Sequence, residues 1–231
     1  MRRRTPTMHE VNLTTSVTDE LALSAPIRYR WPMFPLVACF TPGCPSTRVS
    51  GAQTCFEHIE GKSAYVAAVK AQLSSVSEHV STNWSGVRFQ TVSFDGLRID
   101  RCAFSRASFV GCRFTDLEVS LCFFDFVEFI DCAFSASFFS ACVFGGAVLR
   151  DCVFYNVELP LCNFVGSRCN QVSVVDSDLE RTRFVGASLD GVRFANCNVR
   201  DTTFKNAKFG DVTFRNSNQE EAVFPSAQEP R

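Results

Sequence analysis

The sequence lacks the features of several large protein classes. No run of 18 consecutive apolar residues exists, so we expect no membrane-spanning helix. Arg2, Arg3 and Arg4 near the start are followed by no apolar run, which argues against a secretory signal. The triple arginine itself is expected to be a solvated terminus rather than a nucleic-acid or membrane contact.

Tryptophan and tyrosine are also scarce, with 2 and 3 residues, whereas phenylalanine occurs 24 times. An ordinary core has no reason to choose one aromatic residue so one-sidedly. A structure with a recurring slot of constant size has that reason.

The chain also lacks an excess of charge of either sign, because its formal net charge is −1. Bulk charge therefore favours neither nucleic-acid phosphates nor strongly acidic partners. The 12 cysteines come without a secretory signal, so we expect reduced thiols in a cytoplasmic protein.

A five-residue repeat runs through the chain from Trp84 to Phe224 without an insertion. Of the 29 residues at this spacing, 18 are phenylalanine and only Gln219 is plainly polar. The residues two positions before them, from Thr82 to Ala222, are all small or medium in size. Two residues in five therefore point inward, one large and one small.

A period of five fits neither an α-helix nor a β-strand, but it fits a chain that turns a corner every five residues. Four corners close a square coil of about 20 residues, and successive coils stack at the strand spacing of about 4.8 Å. We predict an all-β solenoid over residues 81–226, a right-handed quadrilateral β-helix of about seven coils.

This pattern resembles the pentapeptide-repeat family, in which a small residue precedes a central Phe or Leu by two positions. The resemblance implies a non-catalytic protein-binding scaffold, and we expect no enzyme activity. Members that confer fluoroquinolone resistance resemble DNA in width and charge, bind DNA gyrase and form dimers. They imply an alternative function as a DNA-mimicking, topoisomerase-protecting protein.

Charge weakens that alternative. Residues 81–226 contain 17 acidic and 14 basic side chains, whereas DNA carries one negative charge per about 1.7 Å. A local acidic strip on the solenoid could still serve as a mimic.

Seven cysteines recur every ten residues in the small inward slots, which predicts two columns on opposite sides of the solenoid. They are Cys102, Cys112, Cys122, Cys132, Cys142, Cys152 and Cys162. We expect these side chains, with Cys169 and Cys197, to fill space, because a free thiol packs as a small apolar group. A metal ladder or redox relay is the alternative.

The N-terminal part divides into three segments. Residues 1–30 are expected to be poorly ordered. Residues 31–62 contain a C-x4-C-x10-C-x2-H arrangement formed by Cys39, Cys44, Cys55 and His58. Two ligands on a turn and two at a helix start are typical of a small tetrahedral zinc site, so we expect zinc here. The alternative is a small apolar cluster with unpaired thiols.

Residues 63–80 show apolar side chains at helical spacing and are predicted to form a capping helix over the first coil. Trp84 should be the first axial residue beneath it. His9 and His79 are expected to be exposed polar residues.

Several outward slots are apolar in the middle of the solenoid: Leu121, Phe123, Phe126, Ile130, Phe138, Val143, Tyr155 and Leu161. We predict a protein-binding surface formed by Leu121, Phe123, Phe126, Phe138 and Val143, because contiguous exposed apolar surface marks interaction sites. The alternative is that the N-terminal segment covers them, with Trp31 and Phe34. Neither reading identifies the partner.

Only a short tail, residues 227–231, follows the solenoid, so no capping helix is expected at the far end. An uncovered coil end is prone to edge pairing. We therefore expect a homodimer through Phe209, Phe214 and Phe224.

Overall fold

The computed structural model describes residues 36–225, which form a parallel β-solenoid of about seven coils preceded by one short helix. Helix α1 spans Lys62–Ser75, and single 3-10 turns occur at Phe56–His58 and Gln219–Glu221. The expectations for residues 1–30, for Trp31 and Phe34, and for the tail at 227–231 lie outside the described residues.

Seventeen short strands form the walls of the solenoid. One side holds β2 (Arg88–Gln90), β5 (Ser108–Val110), β8 (Glu128–Ile130), β10 (Val148–Arg150), β12 (Arg168–Asn170), β14 (Ser188–Asp190) and β16 (Lys208–Phe209). The next side holds β3 (Ser93–Asp95), β6 (Arg113–Thr115), the start of β9 (Ala133–Ser140), the start of β11 (Val153–Glu158), β13 (Ser173–Val175), β15 (Arg193–Ala195) and β17 (Thr213–Arg215).

The third side holds β1 (Glu78–Val80), β4 (Arg98–Asp100), β7 (Glu118–Ser120) and the second halves of β9 and β11. The fourth side is a ladder of single bridges through Asn83, Ala103, Phe123, Val143, Asn163, Arg183, Thr203 and Val223. We call this fourth side the bridge face.

The register confirms a coil of 20 residues. Phe89 pairs with Phe109, which pairs with Phe129, and every strand pair is parallel. Each axial side chain therefore lies directly above the one 20 residues earlier. The phenylalanine repeat thus becomes columns of stacked rings, such as Phe104 on Phe124 with centroids 4.8 Å apart and planes 2° from parallel.

The corners between the sides lie two residues after each axial residue. Most have a positive φ, at glycines and at 20 other residues in the described part of the chain. Asn and Asp tolerate this left-handed conformation, but bulky side chains adopt it at a cost of about 1–2 kcal/mol. Corner positions therefore favour Gly, Asn and Asp on local grounds alone.

The cysteine columns lie where the repeat predicts, with Cys102, Cys122, Cys142 and Cys162 in the small slots of the bridge face and buried. Each thiol approaches a carbonyl oxygen of the previous coil, as Cys122 Sγ does Ile99 O at 3.5 Å. Burial raises the pKa of Cys142 well above its usual value and that of Cys169 to about 12. These buried side chains fill the space of the small slots.

Helix α1 is shorter than expected, because it ends at Ser75 and residues 78–80 form a strand. The reason is the five-residue register, which extends one step upstream of Trp84 to His79. β1 pairs with β4 through His79 and Ile99, so the solenoid already begins here. Val69 and Leu73 of α1 are buried in the same core cluster as Trp84 and Val87.

The expectation that His79 is exposed was wrong, since its side chain is 2% exposed. Its ring lies edge-on to Trp84, with centroids 5.2 Å apart. Nε2 is the one buried side-chain nitrogen or oxygen without a hydrogen-bond partner among residues 36–225. Burial lowers the pKa of His79, against the opposing effect of a hydrogen bond to the Val76 backbone.

No helix within residues 36–225 is long and apolar enough to span a membrane.

Replacing His79 by leucine should stabilise the fold and flatten its pH dependence. The folded state favours neutral His79, whereas an unfolded chain protonates it below a pKa of about 6.5. The free energy of unfolding therefore has its full value above that pH and decreases as the pH falls, because protonation of His79 favours the unfolded chain. We expect His79→Leu to gain at least about 1 kcal/mol at pH 7, and more at pH 5, in urea denaturation.

An equal pH dependence in the wild type and His79→Leu would contradict this assignment. The matched control is Gln90→Leu, a substitution at an exposed position of β2, which should leave the pH profile unchanged.

Candidate metal centre and candidate binding face

The four predicted metal ligands lie on two local structures within residues 36–61, which we call the knuckle. Cys39 and Cys44 belong to a hairpin in which Ala38 bridges Thr47 in antiparallel fashion. A turn lets the Cys44 amide donate to Thr41 O at 3.1 Å, and Gly43 takes a φ of 75° there. Cys55 and His58 flank the 3-10 turn, where the His58 amide donates to Cys55 O at 3.0 Å.

The structure brings the four ligand atoms within 4.8 Å of one another. His58 Nδ1 is 3.6 Å from Cys39 Sγ and 3.4 Å from Cys55 Sγ, and Cys44 Sγ is 3.8 Å from Cys55 Sγ. A tetrahedron with Zn–S bonds of about 2.3 Å has sulfur–sulfur edges of about 3.8 Å. The donor set and its spacing therefore fit a tetrahedral zinc ion.

The surroundings also favour a thiolate at this position. Burial opposes ionisation of Cys39, but hydrogen bonds from the Thr41 side chain and the Cys55 amide outweigh it and lower the pKa of Cys39 to about 5. The Cys55 amide donates directly to Cys39 Sγ at 3.2 Å. A backbone amide aimed at a ligand sulfur is the outer hydrogen bond expected around a metal thiolate.

With four protein ligands, this site would have no open position for a substrate or water. It can stabilise the knuckle but offers no Lewis-acid chemistry. The knuckle needs such support because Val49 and Phe56 are its main apolar side chains in the shared core.

The knuckle is docked on the first coil by a small set of polar contacts. Asn83 Nδ2 donates to Arg48 O at 2.8 Å and to Thr47 Oγ1 at 3.1 Å. The Asn83 amide donates to Ser50 Oγ at 2.8 Å, and the Ser50 amide donates back to Asn83 O at 2.8 Å. Tyr65 of α1 adds a hydrogen bond to Ser50 O at 2.8 Å.

Four of the five residues predicted for partner binding lie on the bridge face or its two flanking corners. Phe123 and Val143 are consecutive rungs of the bridge ladder, Leu121 is at one corner, and Phe126 is at the other. Leu161 continues the corner of Leu121 two coils further on. We call Leu121, Phe123, Phe126, Val143 and Leu161 the apolar face.

The fifth residue, Phe138, lies on the adjoining side, where it pairs with Glu118 and Glu158. It is 39% exposed, and the exposed Val153 and Tyr155 lie on the side that precedes it, where they pair with Ala133 and Ser135. Val153 was missed from the sequence, although its outward slot next to Phe154 marks it. The exposed Leu36 and Phe40 of the knuckle were also missed, because no repeat governs that segment.

The apolar face contains three bulky residues in the left-handed conformation. Leu121, Phe126 and Leu161 have φ values of 52°, 54° and 60°. Their side chains are 49%, 58% and 57% exposed, so packing recovers little of the conformational cost. The Phe126 ring lies over Gly146, where an added Cβ would approach ring carbons at 2.7 Å.

The expected dimer residues lie in the last coils of the described chain. Phe209, Phe214 and Phe224 are only partly buried, unlike the axial residues before them. Within residues 36–225, β16 pairs only with β14 and β17 only with β15, which leaves their outer edges unpaired.

Residues 147–224 match the family model described as Pentapeptide repeat region. These residues are thus similar to a pentapeptide repeat region. The match covers the later coils, and the same ladder and 20-residue register continue upstream to β1, so the earlier coils share the fold of the matched region. No curated protein sequence matches the chain.

Solved structures of pentapeptide-repeat proteins resemble the solenoid in fold. A trypsin-treated variant of QnrB1, a plasmid-mediated fluoroquinolone resistance protein, is 16% identical with a TM-score of 0.52, over 64% of this chain and 80% of that one. HetL, involved in heterocyst differentiation regulation in the cyanobacterium Nostoc sp., is 10% identical with a TM-score of 0.42, over 71% and 98%. At 16% identity the likeness to QnrB1 shows the fold alone.

Purified protein should contain about one equivalent of zinc. Cys44→Ala and Cys55→Ala should each lower the metal content below about 0.2 equivalents and loosen the knuckle, because a tetrahedral site loses a quarter of its ligands. Elemental analysis and limited proteolysis measure both effects.

Cys112→Ala is the matched control, since it removes a buried solenoid thiol and should leave the zinc content unchanged. Wild-type protein without zinc, or equal zinc in Cys55→Ala, would refute the metal assignment.

Proposed function

We propose that this protein is a non-enzymatic scaffold that binds another protein through the apolar face. The proposal rests mainly on one observation: Leu121, Phe126 and Leu161 are large, exposed and apolar at corners that favour Gly, Asn or Asp. Each costs conformational energy and gains little packing within residues 36–225. Burial against a partner would supply the missing compensation.

The shape of the face supports the proposal. Phe123 and Val143 lie between the two corners, so the apolar side chains form one continuous surface rather than isolated points. Gly145 places no side chain next to Val143, and Gly146 lies beneath the Phe126 ring, so the ring extends the apolar surface over the next coil. Aromatic side chains at the centre of a flat apolar area are typical of binding hot spots.

A scaffold role also fits the chemistry of the rest of the described chain. The solenoid thiols are buried, burial raises the pKa of Cys142 well above its usual value, and four knuckle ligands would leave no open metal position. The zinc ion would hold the knuckle against Asn83, at the start of the bridge face. The metal thus supports the binding scaffold without taking part in a reaction.

The gyrase-binding alternative has no comparable support in this chain. The likeness to QnrB1 concerns the fold alone, and residues 81–226 carry 17 acidic against 14 basic side chains. Arg98 pairs with Glu118 at 3.0 Å and Arg200 with Glu180 at 2.7 Å, so part of the acidic charge is neutralised locally. A gyrase supercoiling assay with and without a quinolone distinguishes the two functions. Gyrase binding requires that micromolar protein changes the supercoiling activity, whereas the scaffold function does not.

Replacing Leu121 and Phe126 together by asparagine should separate binding from stability. Asparagine tolerates the corner conformation, so the free energy of unfolding should stay equal or rise by about 1 kcal/mol. Partner affinity should fall at least tenfold, because two apolar contacts are lost. A pull-down identifies the partner, and titration of the purified partner measures the affinity.

Asp151→Asn is the matched control. Asp151 is an exposed corner residue with a φ of 53°, and it lies outside the apolar face. Unchanged affinity of the purified partner for the Leu121→Asn, Phe126→Asn variant would refute the proposed face.

We further propose that the protein forms a homodimer through its last coils, near Phe209, Phe214 and Phe224. The partly buried rings and unpaired strand edges of the described C-terminal coils support this arrangement. Light scattering coupled to size-exclusion chromatography should give the mass of two chains. Phe214→Asp should give one chain, whereas Thr115→Asp on an earlier coil should not change the mass.

A monomer at all concentrations up to about 100 μM would exclude a stable dimer of physiological relevance. A Phe214→Asp variant that remains dimeric would place the contact elsewhere.

A further inference from the structure

A groove of about 1100 Å³ separates the knuckle from the solenoid at the start of the apolar face. Leu36 and Pro45 line it on the knuckle side, and Ala103, Phe123 and Phe126 line it on the solenoid side. We call this the knuckle groove. Its volume is at the upper limit of cavities that enclose small molecules and is sufficient for a short peptide segment.

Both walls of the groove are held in place by contacts already described. The hydrogen bonds from Asn83 to Thr47 and Arg48 attach the knuckle hairpin to the first coil. On the other flank, Glu57 pairs with Arg88 at 3.1 Å and with Lys62 at 2.7 Å. A preformed groove of this kind binds a ligand without a large ordering cost.

The apolar part of the groove is continuous with the apolar face. Leu36 is 59% exposed and Phe126 is 58% exposed, although both are large apolar side chains. Phe126 belongs to both surfaces, so a partner lying on the apolar face can extend a segment into the groove. An apolar part of the partner that packs on Leu36 and Phe126 would remove apolar surface of both residues from water.

The charges along the groove are unevenly compensated. Arg88, at the end beneath the knuckle, is paired with Glu57, and the Arg106 guanidinium lies 5.7 Å from the Phe126 ring centroid. Asp125 and Glu128 line the opposite end, and within the described chain neither has a Lys or Arg within 4 Å. Asp125 accepts a hydrogen bond from Ser105 Oγ, which orients its carboxylate.

We propose that the knuckle groove binds an extended peptide segment of the partner protein, with an apolar residue against Leu36 and Phe126 and a Lys or Arg at Asp125 and Glu128. This inference rests on the proposed scaffold function and specifies the chemistry of the partner. Asp125 and Glu128 favour a cationic group over a phosphate group at their end of the groove, whereas Arg106 lies beside Phe126. In such a segment, the basic residue would lie at Asp125 and Glu128, and the neighbouring apolar residue would contact Leu36 and Phe126.

Selection of random decapeptides displayed on phage tests this inference on the full-length, zinc-loaded protein. Enriched peptides should combine an apolar residue with a Lys or Arg within about four positions. A synthetic peptide of the enriched sequence should bind at least tenfold more weakly to Leu36→Asp, whereas Val153→Asp, an exposed apolar position outside the groove and the apolar face, should change its affinity less than twofold.

Charge reversal provides the second arm of the experiment. Selection on the Asp125→Lys, Glu128→Lys variant should enrich Asp or Glu in place of the basic residue, because the end of the groove has changed sign. Replacing the exposed Asp151 by Lys is the control and should leave the selected sequences unchanged.

Three results would overturn the inference. The first is that Leu36→Asp enriches the same peptides as the wild type. The second is that Asp125→Lys, Glu128→Lys still enriches basic residues. The third is that the enriched peptides match a sequence of this chain itself. The last result would assign the groove to a second copy or to the chain's own N-terminal residues. If the purified partner loses affinity with Leu121→Asn, Phe126→Asn but not with Leu36→Asp, the scaffold function stands and the peptide groove is wrong.

Discussion

The return of a large side chain to the axis at every fifth residue is the constraint on which the solenoid depends. Each buried phenylalanine removes apolar surface worth about 1.5–3 kcal/mol, and stacked ring pairs add about 0.5–1.5 kcal/mol. The stacks bring residues 20 positions apart into register, as Phe134 on Phe154 at 4.3 Å shows. That register places the strands for parallel hydrogen bonding. The coils, corners and thiol columns all follow from it.

The same constraint leaves the outward positions free, which makes their exceptions informative. Nothing in the repeat requires Leu121 or Phe126 to be apolar, and their corner conformation favours small or polar residues. Phe104 is explained by the core it fills, whereas Phe126 has no such explanation. Apolar residues at such positions therefore carry more functional information than the many phenylalanines of the axis.

The knuckle extends the scaffold by a different principle. Its apolar core is small, and four side chains that could bind a metal ion converge there from a hairpin and a 3-10 turn. Polar contacts through Asn83 then fasten it beside the bridge face rather than directly on the solenoid axis. The axis is covered by α1, whose Val69 and Leu73 join the core. Helix α1 thus caps the solenoid, whereas the knuckle forms one wall of the groove.

The sequence by itself determined the coil length, the inward and outward residues, the thiol columns and the four knuckle residues whose side chains converge, Cys39, Cys44, Cys55 and His58. These are local properties, because a strict period and a ligand spacing act over a few residues. Only the tertiary structure decided that α1 stops at Ser75 and that His79 is buried as an axial residue, since strand pairing with β4 overrides helical periodicity. It alone placed Leu36 and Phe126 along one groove, because no repeat relates the knuckle to the solenoid and only their docking sets the relative position of the two residues.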